Sequence, residues 1–308
     1  MSERKPPTSP RYTVTFVVML CLGAALILAV TSTALRAREE RSRALDRVKQ
    51  ILAATRIYNP DGYFQIREGE KWVPAIYDPS EKKLVPSEEK VKASADAIYA
   101  VSQERLLPRL TNEAGDITTF EAADIDFDDY IAEHAKTGFA DLPEKLFYIV
   151  LPNGARADSP PVGYVIPLAG FGLWGPLYGY VALEPNVDTV IGNTWQAPLE
   201  TPGLGANIQD ASWQEQFEGK QIFVPSATGV TNLATAPLGI VVVKGRVSDV
   251  FGESPKAASA VDGLTGATLT GDGVTATYAA SLAPYRNLLI ALNKKYQEES
   301  GGSETPAT

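Results

Sequence analysis

The stretch from Val261 to Val274, VDGLTGATLTGDGV, is rich in glycine and threonine and contains no His, Cys or Lys. Hydroxyl groups are therefore its main candidates for chemistry. A threonine hydroxyl is a weak nucleophile unless a base activates it, and the stretch has no histidine or lysine to act as that base. On residue types alone it can equally be a flexible loop that leads into the last helix.

The rest of the chain excludes several kinds of site. His134 is the only histidine and Cys21 the only cysteine, which leaves too few ligands for zinc or iron–sulfur centres and no favourable context for a Ser–His–Asp triad. The run that begins at Asp124 resembles a calcium loop but lacks the glycine and glutamate that such a loop needs. Gly170–Gly175 fits the dinucleotide fingerprint, yet a strand-like segment follows instead of a helix.

Charge and hydropathy divide the chain. The net charge is −9, and residues 36–308 carry −11 because residues 1–11 contribute +2 and residues 12–35 none. An acidic body repels phosphate backbones, so nucleic acid is not an expected partner. Val14 to Leu35 is an uninterrupted run of 22 residues without a charge or proline, about 33 Å as a helix, which predicts a membrane anchor.

The side of the membrane stays open on charge alone. Six basic residues lie between Arg36 and Lys49, against three before the apolar run, and this count places the large domain in the cytoplasm. The positive-inside rule weakens for long translocated domains, and acidic residues are interspersed among these basic ones.

Periodicity predicts the elements that must position the threonine-rich stretch. An amphipathic helix follows the span, strands lie within residues 145–185, residues 240–247 (IVVVKGRV) form a central strand, and a final helix begins near Val274 and ends near Gln297. Residues 199–208 (LETPGLGANI) are glycine-rich and, on composition, form a connecting loop.

Three segments in this order resemble the C subunit of the bacterial Na⁺-translocating NADH:quinone oxidoreductase. They are residues 170–185 (GFGLWGPLYGYVALEP), residues 200–223 (ETPGLGANIQDASWQEQFEGKQIF) and residues 261–274. The resemblance covers most of the chain and is strong from about 145 to 290 and weak from 58 to 140.

The third segment carries the most specific motif. The family's flavinylation motif is Asp-x-x-Ser/Thr-Gly-Ala-Thr, and here Asp262 begins it and Thr268 ends it. The resemblance implies that Thr268 holds one FMN through a phosphoester, attached by a separate flavin transferase that uses FAD and Mg²⁺. The cofactor-binding residues implied around it are Asp262, Thr265, Gly266, Ala267, Leu269 and Thr270.

The other two segments are implied to surround the isoalloxazine, and Lys244 is expected near the phosphate. Leu199 stands where many family members have glycine, so the entry to the second segment departs from the family pattern. The residues implied to line the ring are Gly172, Leu173, Trp174, Glu200, Thr201, Pro202, Gly203 and Leu204. No metal ligands and no catalytic residues beyond the flavin are expected.

The resemblance implies a membrane-anchored flavoprotein subunit that relays electrons within the sodium pump and binds the other subunits of that complex. It implies a single-pass protein of the bacterial inner membrane with its FMN domain on the periplasmic side, against the charge count. The alternatives are the G subunit of an Rnf-type ferredoxin:NAD⁺ oxidoreductase, whose chains are shorter, and a cofactor-free tethered binding module.

The expected fold is α+β, with one transmembrane helix followed by a mixed α/β FMN-binding domain around a central antiparallel or mixed sheet. The expected divisions are a disordered cytoplasmic leader (1–11), the span (12–35), a stalk helix (36–57), a variable α/β insertion (58–145), the FMN-binding domain (146–296) and a disordered tail (297–308).

Overall fold

The computed structural model describes residues 10–69, 71–155, 159–229 and 231–301. The chain divides into two compact units, residues 1–47 and residues 48–308. Helix α1, Pro10–Ala54, supplies the described part of the first unit and the start of the second. Most of the expected leader (1–11) and the residues beyond 301 lie outside the described residues.

The first unit contains the expected apolar segment. Arg11–Arg36 has a mean hydropathy of 2.6 and is long and apolar enough to cross a membrane. Its large side chains are exposed, and Leu26, Ile27 and Leu28 each show about two thirds of their surface. Exposed apolar residues around a whole helix suit a lipid environment better than water.

The second unit is built on β-sheets. Its described residues form two antiparallel sheets and one short parallel pair. The strands are β1 (Phe64–Glu68), β2 (Lys71–Asp78), β3 (Lys83–Pro86), β4 (Leu106–Thr111), β5 (Ile117–Thr118), β6 (Lys145–Val150), β7 (Gly163–Phe171), β8 (Pro176–Leu183), β9 (Val190–Gln196), β10 (Val241–Val242) and β11 (Ala260–Val261). The further helices are α2 (Ala95–Arg105), α3 (Phe127–His134), α4 (Ala211–Gln214), α5 (Val247–Phe251), α6 (Thr268–Leu282) and α7 (Arg286–Gly301).

The main sheet has six antiparallel strands in the order β5-β4-β6-β7-β8-β9. Helix α6 lies against β7, and its Val274, Tyr278 and Leu282 are fully buried in the core with residues of that sheet. The apolar alternation of the strands provides this buried face. The expected α+β fold with one N-terminal apolar helix and a central antiparallel sheet is confirmed.

The main sheet crosses the expected division at 145/146. Strand β4 pairs along its whole length with β6, from Leu106↔Val150 to Thr111↔Lys145. Residues 106–118 thus belong to the same sheet as residues 145–196. The smaller sheet β1-β2-β3 is the only part of residues 58–145 that forms a sheet of its own among the described residues.

Residues 240–247 do not form the predicted central strand. Only Val241 and Val242 are extended in a ladder, and they pair in parallel with β11. The Val242 N–H donates instead to the hydroxyl of Thr275 in α6, at 2.9 Å. The Val243 N–H donates to the Val261 carbonyl of β11, so β10 pairs with β11 on one side and its Val242 donor is taken by α6 instead of by a further strand.

The final helix differs from its prediction at both ends. It begins at Thr268, six residues before the predicted start, and a 3₁₀ turn at Ala283–Tyr285 separates α6 from α7. The second helix continues to Gly301, so residues 297–301 are helical, unlike the tail expected there. Thr268 and Thr270 consequently belong to the first turn of α6.

Candidate functional site

A tight turn places Thr268 at the first position of α6. The Ala267 N–H donates to the Leu264 carbonyl at 3.1 Å, and Gly266 has φ +76°. Such a turn favours glycine at its third position because a side chain there is strained. Within the turn and the first residues of α6, Thr265, Gly266, Thr268 and Leu269 are exposed, whereas Ala267 and Thr270 are buried.

The start of α6 has no side-chain cap. Ala267 is the N-cap residue, and alanine offers no oxygen to the N–H groups of the first turn. The first N–H groups of any helix lack intrahelical partners and carry partial positive charge. The exposed Thr268 hydroxyl therefore lies where a negatively charged group would be stabilised.

Asp262 fixes the turn from the other side. Its Oδ1 accepts the Val247 N–H at 2.7 Å, at the start of α5. Its own N–H donates to Gln216 Oε1 at 3.0 Å, and its carbonyl accepts from Trp213 Nε1 at 3.2 Å. Asp262 thereby holds the threonine-rich stretch through hydrogen bonds to two other segments. Gln216 and Trp213 lie in the segment 200–223 that the resemblance emphasised, but residue types alone did not single them out.

Glu200 connects all three glycine-rich segments. Its side chain is 5% exposed. Oε1 accepts the Trp174 N–H at 2.8 Å, and Oε2 accepts the Thr270 hydroxyl at 2.7 Å. These two bonds join the β7–β8 turn, the loop after β9 and the first turn of α6.

Two glycines leave room for this carboxylate. A Cβ on Gly172 would lie 2.5 Å from Glu200 Oε1, and a Cβ on Gly205 would lie 2.4 Å from Oε2 and 2.5 Å from Thr270 Oγ1. We call Glu200, Thr270, Gly172, Gly205 and the Trp174 backbone the Glu200 cluster. The carboxylate of Glu200, expected to line the ring, is thus engaged in internal hydrogen bonds.

The three segments that the cluster joins carry exposed apolar side chains, which we call the apolar rim. Among the expected site residues, Trp174 is 65% exposed, and Leu173, Leu204 and Leu269 are also exposed. Phe171 and Leu199, which were not expected at the site, are exposed as well. Thr201, Pro202 and Gly203 are exposed beside Leu204. Phe171 lies between Gly170 and Gly172 in the first of the three segments, and that position is the signal that could have identified it.

Lys244 and the threonine-rich turn line one small cavity. The cavity has a volume of about 200 Å³, and its walls are residues 242–245, 263–268, 271 and 272. Lys244 Nζ lies 3.8 Å from Asp272 Oδ2, and both side chains are mostly exposed. The structure therefore brings Lys244 near the motif, paired with an aspartate that sequence reasoning did not identify.

His134 and the acidic run at residues 124–129 contribute nothing to this arrangement. They line a separate hollow with Glu133 and Glu144. Among the described residues, no group of three or more His, Cys, Asp or Glu side chains has the geometry to hold a metal ion.

The part of the chain that contains this site matches a known domain. A family model described as an FMN-binding domain matches residues 172–283, a range that includes every expected site residue. The C subunit of the Na⁺-translocating NADH-quinone reductase of Chlamydia caviae is 41% identical over 319 residues, covering 99% of this chain and 100% of that protein. The corresponding protein of Vibrio parahaemolyticus is 29% identical, covering 88% and 89%.

A solved structure shares the fold. The crystal structure of the C subunit of this reductase from Parabacteroides distasonis superposes with a TM-score of 0.53 at 24% identity and covers 83% of this chain and 96% of that one. The length and identity of the match to the Chlamydia caviae protein establish the relationship suggested by the three glycine-rich segments. This chain belongs to the family of C subunits of the Na⁺-translocating NADH-quinone reductase.

Proposed function

We propose that this chain is a membrane-anchored flavoprotein subunit that relays electrons through an FMN bound to Thr268 by a phosphoester. The observation that carries the proposal is the exposed Thr268 hydroxyl at the uncapped start of α6, a 15-residue helix, inside a stretch that matches an FMN-binding domain. Bound flavin would supply the redox chemistry, and the protein would supply attachment and environment.

The residues around Thr268 suit each part of FMN. The free N–H groups of the first turn of α6 and the ammonium of Lys244 favour a phosphate, although Asp272 offsets part of the lysine charge. The exposed apolar rim, with Leu173, Trp174 and Leu204, offers surfaces that a flat ring can cover. The Glu200 cluster holds the rim and the helix start together beneath them.

Attachment requires an outside enzyme. Among the described residues no side chain hydrogen-bonds to the Thr268 hydroxyl, so the chain itself supplies no base to activate it. A flavin transferase that uses FAD and Mg²⁺ would provide that base. In that reaction the Thr268 Oγ1–phosphorus bond would form as the pyrophosphate bond of FAD breaks, AMP would leave, and the hydroxyl proton would pass to the transferase. The exposure of Gly266 and Thr268 gives such an enzyme access.

Mass spectrometry of the full-length chain, produced together with a flavin transferase, tests the attachment. The tryptic peptide 257–286 should carry one FMN less one water, and Thr268→Ala should remove this addition completely. Thr268→Ser is the matched control, because it keeps a hydroxyl and should keep the adduct. An unmodified wild-type peptide, as a cofactor-free module would give, or fragment ions that place the FMN on Thr265 or Thr270, would contradict the proposal.

The family relationship also supports a proposal about the membrane anchor and the partner subunits. Arg11–Arg36 would hold the protein in the inner membrane, where it contacts the other subunits of the sodium-pumping reductase. Residues 12–35 contain no ionisable side chain other than Tyr12 and Cys21, so this span alone offers no charged groups for an ion path. We place the FMN domain on the periplasmic side, although the positive-inside count favours the cytoplasm.

Cysteine labelling of intact cells separates the two orientations. In a Cys21→Ser background, Glu299→Cys should react with an impermeant maleimide once the outer membrane is permeabilised. Ser2→Cys in the leader is the matched control and should be protected. The reverse pattern of labelling would support the charge count and place the domain in the cytoplasm.

A further inference from the structure

A second, larger cavity lies within residues 48–301. Its volume is about 600 Å³, within the range of small-molecule sites. Residues from β1, β2, β9, the end of α2 and the end of β6 line it, and none of the residues of the Thr268 site does. Its walls are mixed, with an apolar part that includes Ile57, Ile66, Trp72, Val150 and Ile191.

Arg105 brings an uncompensated cation to this cavity. Its side chain lines the cavity although the residue is only 8% exposed. Nε donates to the Leu151 carbonyl at 2.6 Å, which fixes the plane of the guanidinium. Among the described residues this is its only side-chain hydrogen bond and no carboxylate pairs with it, so its terminal amino groups keep their donors for another acceptor.

Burial makes this arrangement unusual. It lowers the pKa of Arg105 to about 10, and no acid among the described residues opposes the shift. The group is still charged at neutral pH, and a buried charge without a partner is strongly unfavourable. Such a side chain is normally paired, so an anion that enters the cavity would gain a preorganised, largely desolvated partner.

The other charged side chains at the cavity indicate the net charge that a ligand should carry. Arg67 and Glu184 also line it, and they face each other at 3.9 Å, so their charges offset. Among the residues that the structure describes at this cavity, one positive charge, that of Arg105, remains. A monoanion balances it, whereas a dianion would leave an excess negative charge. The Gln65 side chain, also 8% exposed, adds an amide at the same wall.

We propose that this cavity binds a small amphiphilic monoanion, with a carboxylate on the Arg105 guanidinium and an apolar body against the walls formed by Ile57, Ile66, Trp72 and Ile191. A carboxylate matches the planar fork of guanidinium in two parallel hydrogen bonds. The apolar walls account for the body, since a bare inorganic ion would leave them uncovered.

Calorimetric titration of the full-length chain in a neutral maltoside detergent tests the proposal, with octanoate as the probe. Octanol has an alkyl chain of the same length without the charge, and acetate has the same carboxylate without the long alkyl chain. We expect octanoate to bind at least about tenfold more tightly than either, because a charge-assisted bond and apolar burial both contribute. Thr268→Ala should bind octanoate like the wild type, which keeps this result independent of the flavin.

Two variants at the cavity should weaken octanoate binding about tenfold or more. Arg105→Gln removes the charge, and Val162→Trp narrows the cavity from its rim, where Val162 is 40% exposed, while leaving the bond between Arg105 and Leu151 intact. Val162→Trp keeps the test decisive if Arg105→Gln fails to fold. Arg109→Gln, on β4 and outside the cavity, is the matched control and should bind like the wild type.

Three results would overturn the proposal. One is the absence of octanoate binding to the wild type. The second is octanol or acetate binding as tightly as octanoate, and the third is unchanged octanoate binding in folded Arg105→Gln or in Val162→Trp.

Discussion

Thr268 and Thr270 lie two residues apart in the first turn of α6 but have opposite surroundings. The Thr268 side chain is exposed at the edge of the 200 Å³ cavity, whereas Thr270 is 1% exposed and donates to Glu200. One hydroxyl is free to react and the other is committed to structure. A helix turn can separate these roles because successive residues point in different directions around its axis.

The difference shows how the site combines access with rigidity. Under the proposed attachment, the exposed rim and the turn before α6 would have to admit a transferase that carries the flavin, and loops with such a role are generally mobile. The Glu200 cluster beneath them ties three segments together through buried hydrogen bonds. Precise support under an exposed attachment point is what a cofactor site requires.

Among the changes that test this comparison, Glu200→Ala should have the largest effect on stability. It removes both bonds of the cluster, leaves the Thr270 hydroxyl without its acceptor and opens a void, so we expect the free energy of unfolding to fall by about 2–4 kcal/mol. This loss can be measured by urea unfolding in neutral detergent, with full-length chain that was produced without flavin attachment.

Glu200→Gln is the matched variant for this change. The amide oxygen can accept the Trp174 N–H, and the amide nitrogen can donate to Thr270, whose hydroxyl also accepts. We expect a loss below about 1.5 kcal/mol. Equal losses in the two variants would show that the negative charge of Glu200, and not its hydrogen bonding, stabilises the site.

Sequence reasoning could identify the residues that act locally. The uninterrupted apolar run predicts a span at residues 12–35, which matches the apolar helix segment Arg11–Arg36, and the motif that ends at Thr268 lies at an exposed helix start. Both features are contained in short windows of sequence. The attachment to Thr268 stays a prediction until the modified peptide is measured.

Features that depend on distant residues could not be predicted in this way. Glu200 bonds to partners 26 and 70 positions away, so no periodicity reveals that its carboxylate faces inward. The run at 240–247 is apolar enough for a strand, but Thr275 takes the donor of Val242. Arg105 is buried although arginine is usually exposed, because the ends of α2 and β6 meet around it.

The smallest effects on stability, and the most discriminating test, should come from removing the two hydroxyls in separate variants. Thr270→Val keeps the shape of the side chain but leaves Oε2 of buried Glu200 without its donor, and we expect it to lower the free energy of unfolding by about 1–2 kcal/mol. Thr268→Val removes an exposed hydroxyl and should change stability by less than about 0.5 kcal/mol. The peptide mass should respond in the opposite sense, with the FMN adduct kept in Thr270→Val and lost in Thr268→Val. If Thr270→Val also lost the adduct while remaining folded, the buried hydroxyl would have to take part in attachment, and the separation of roles between the two threonines would be wrong.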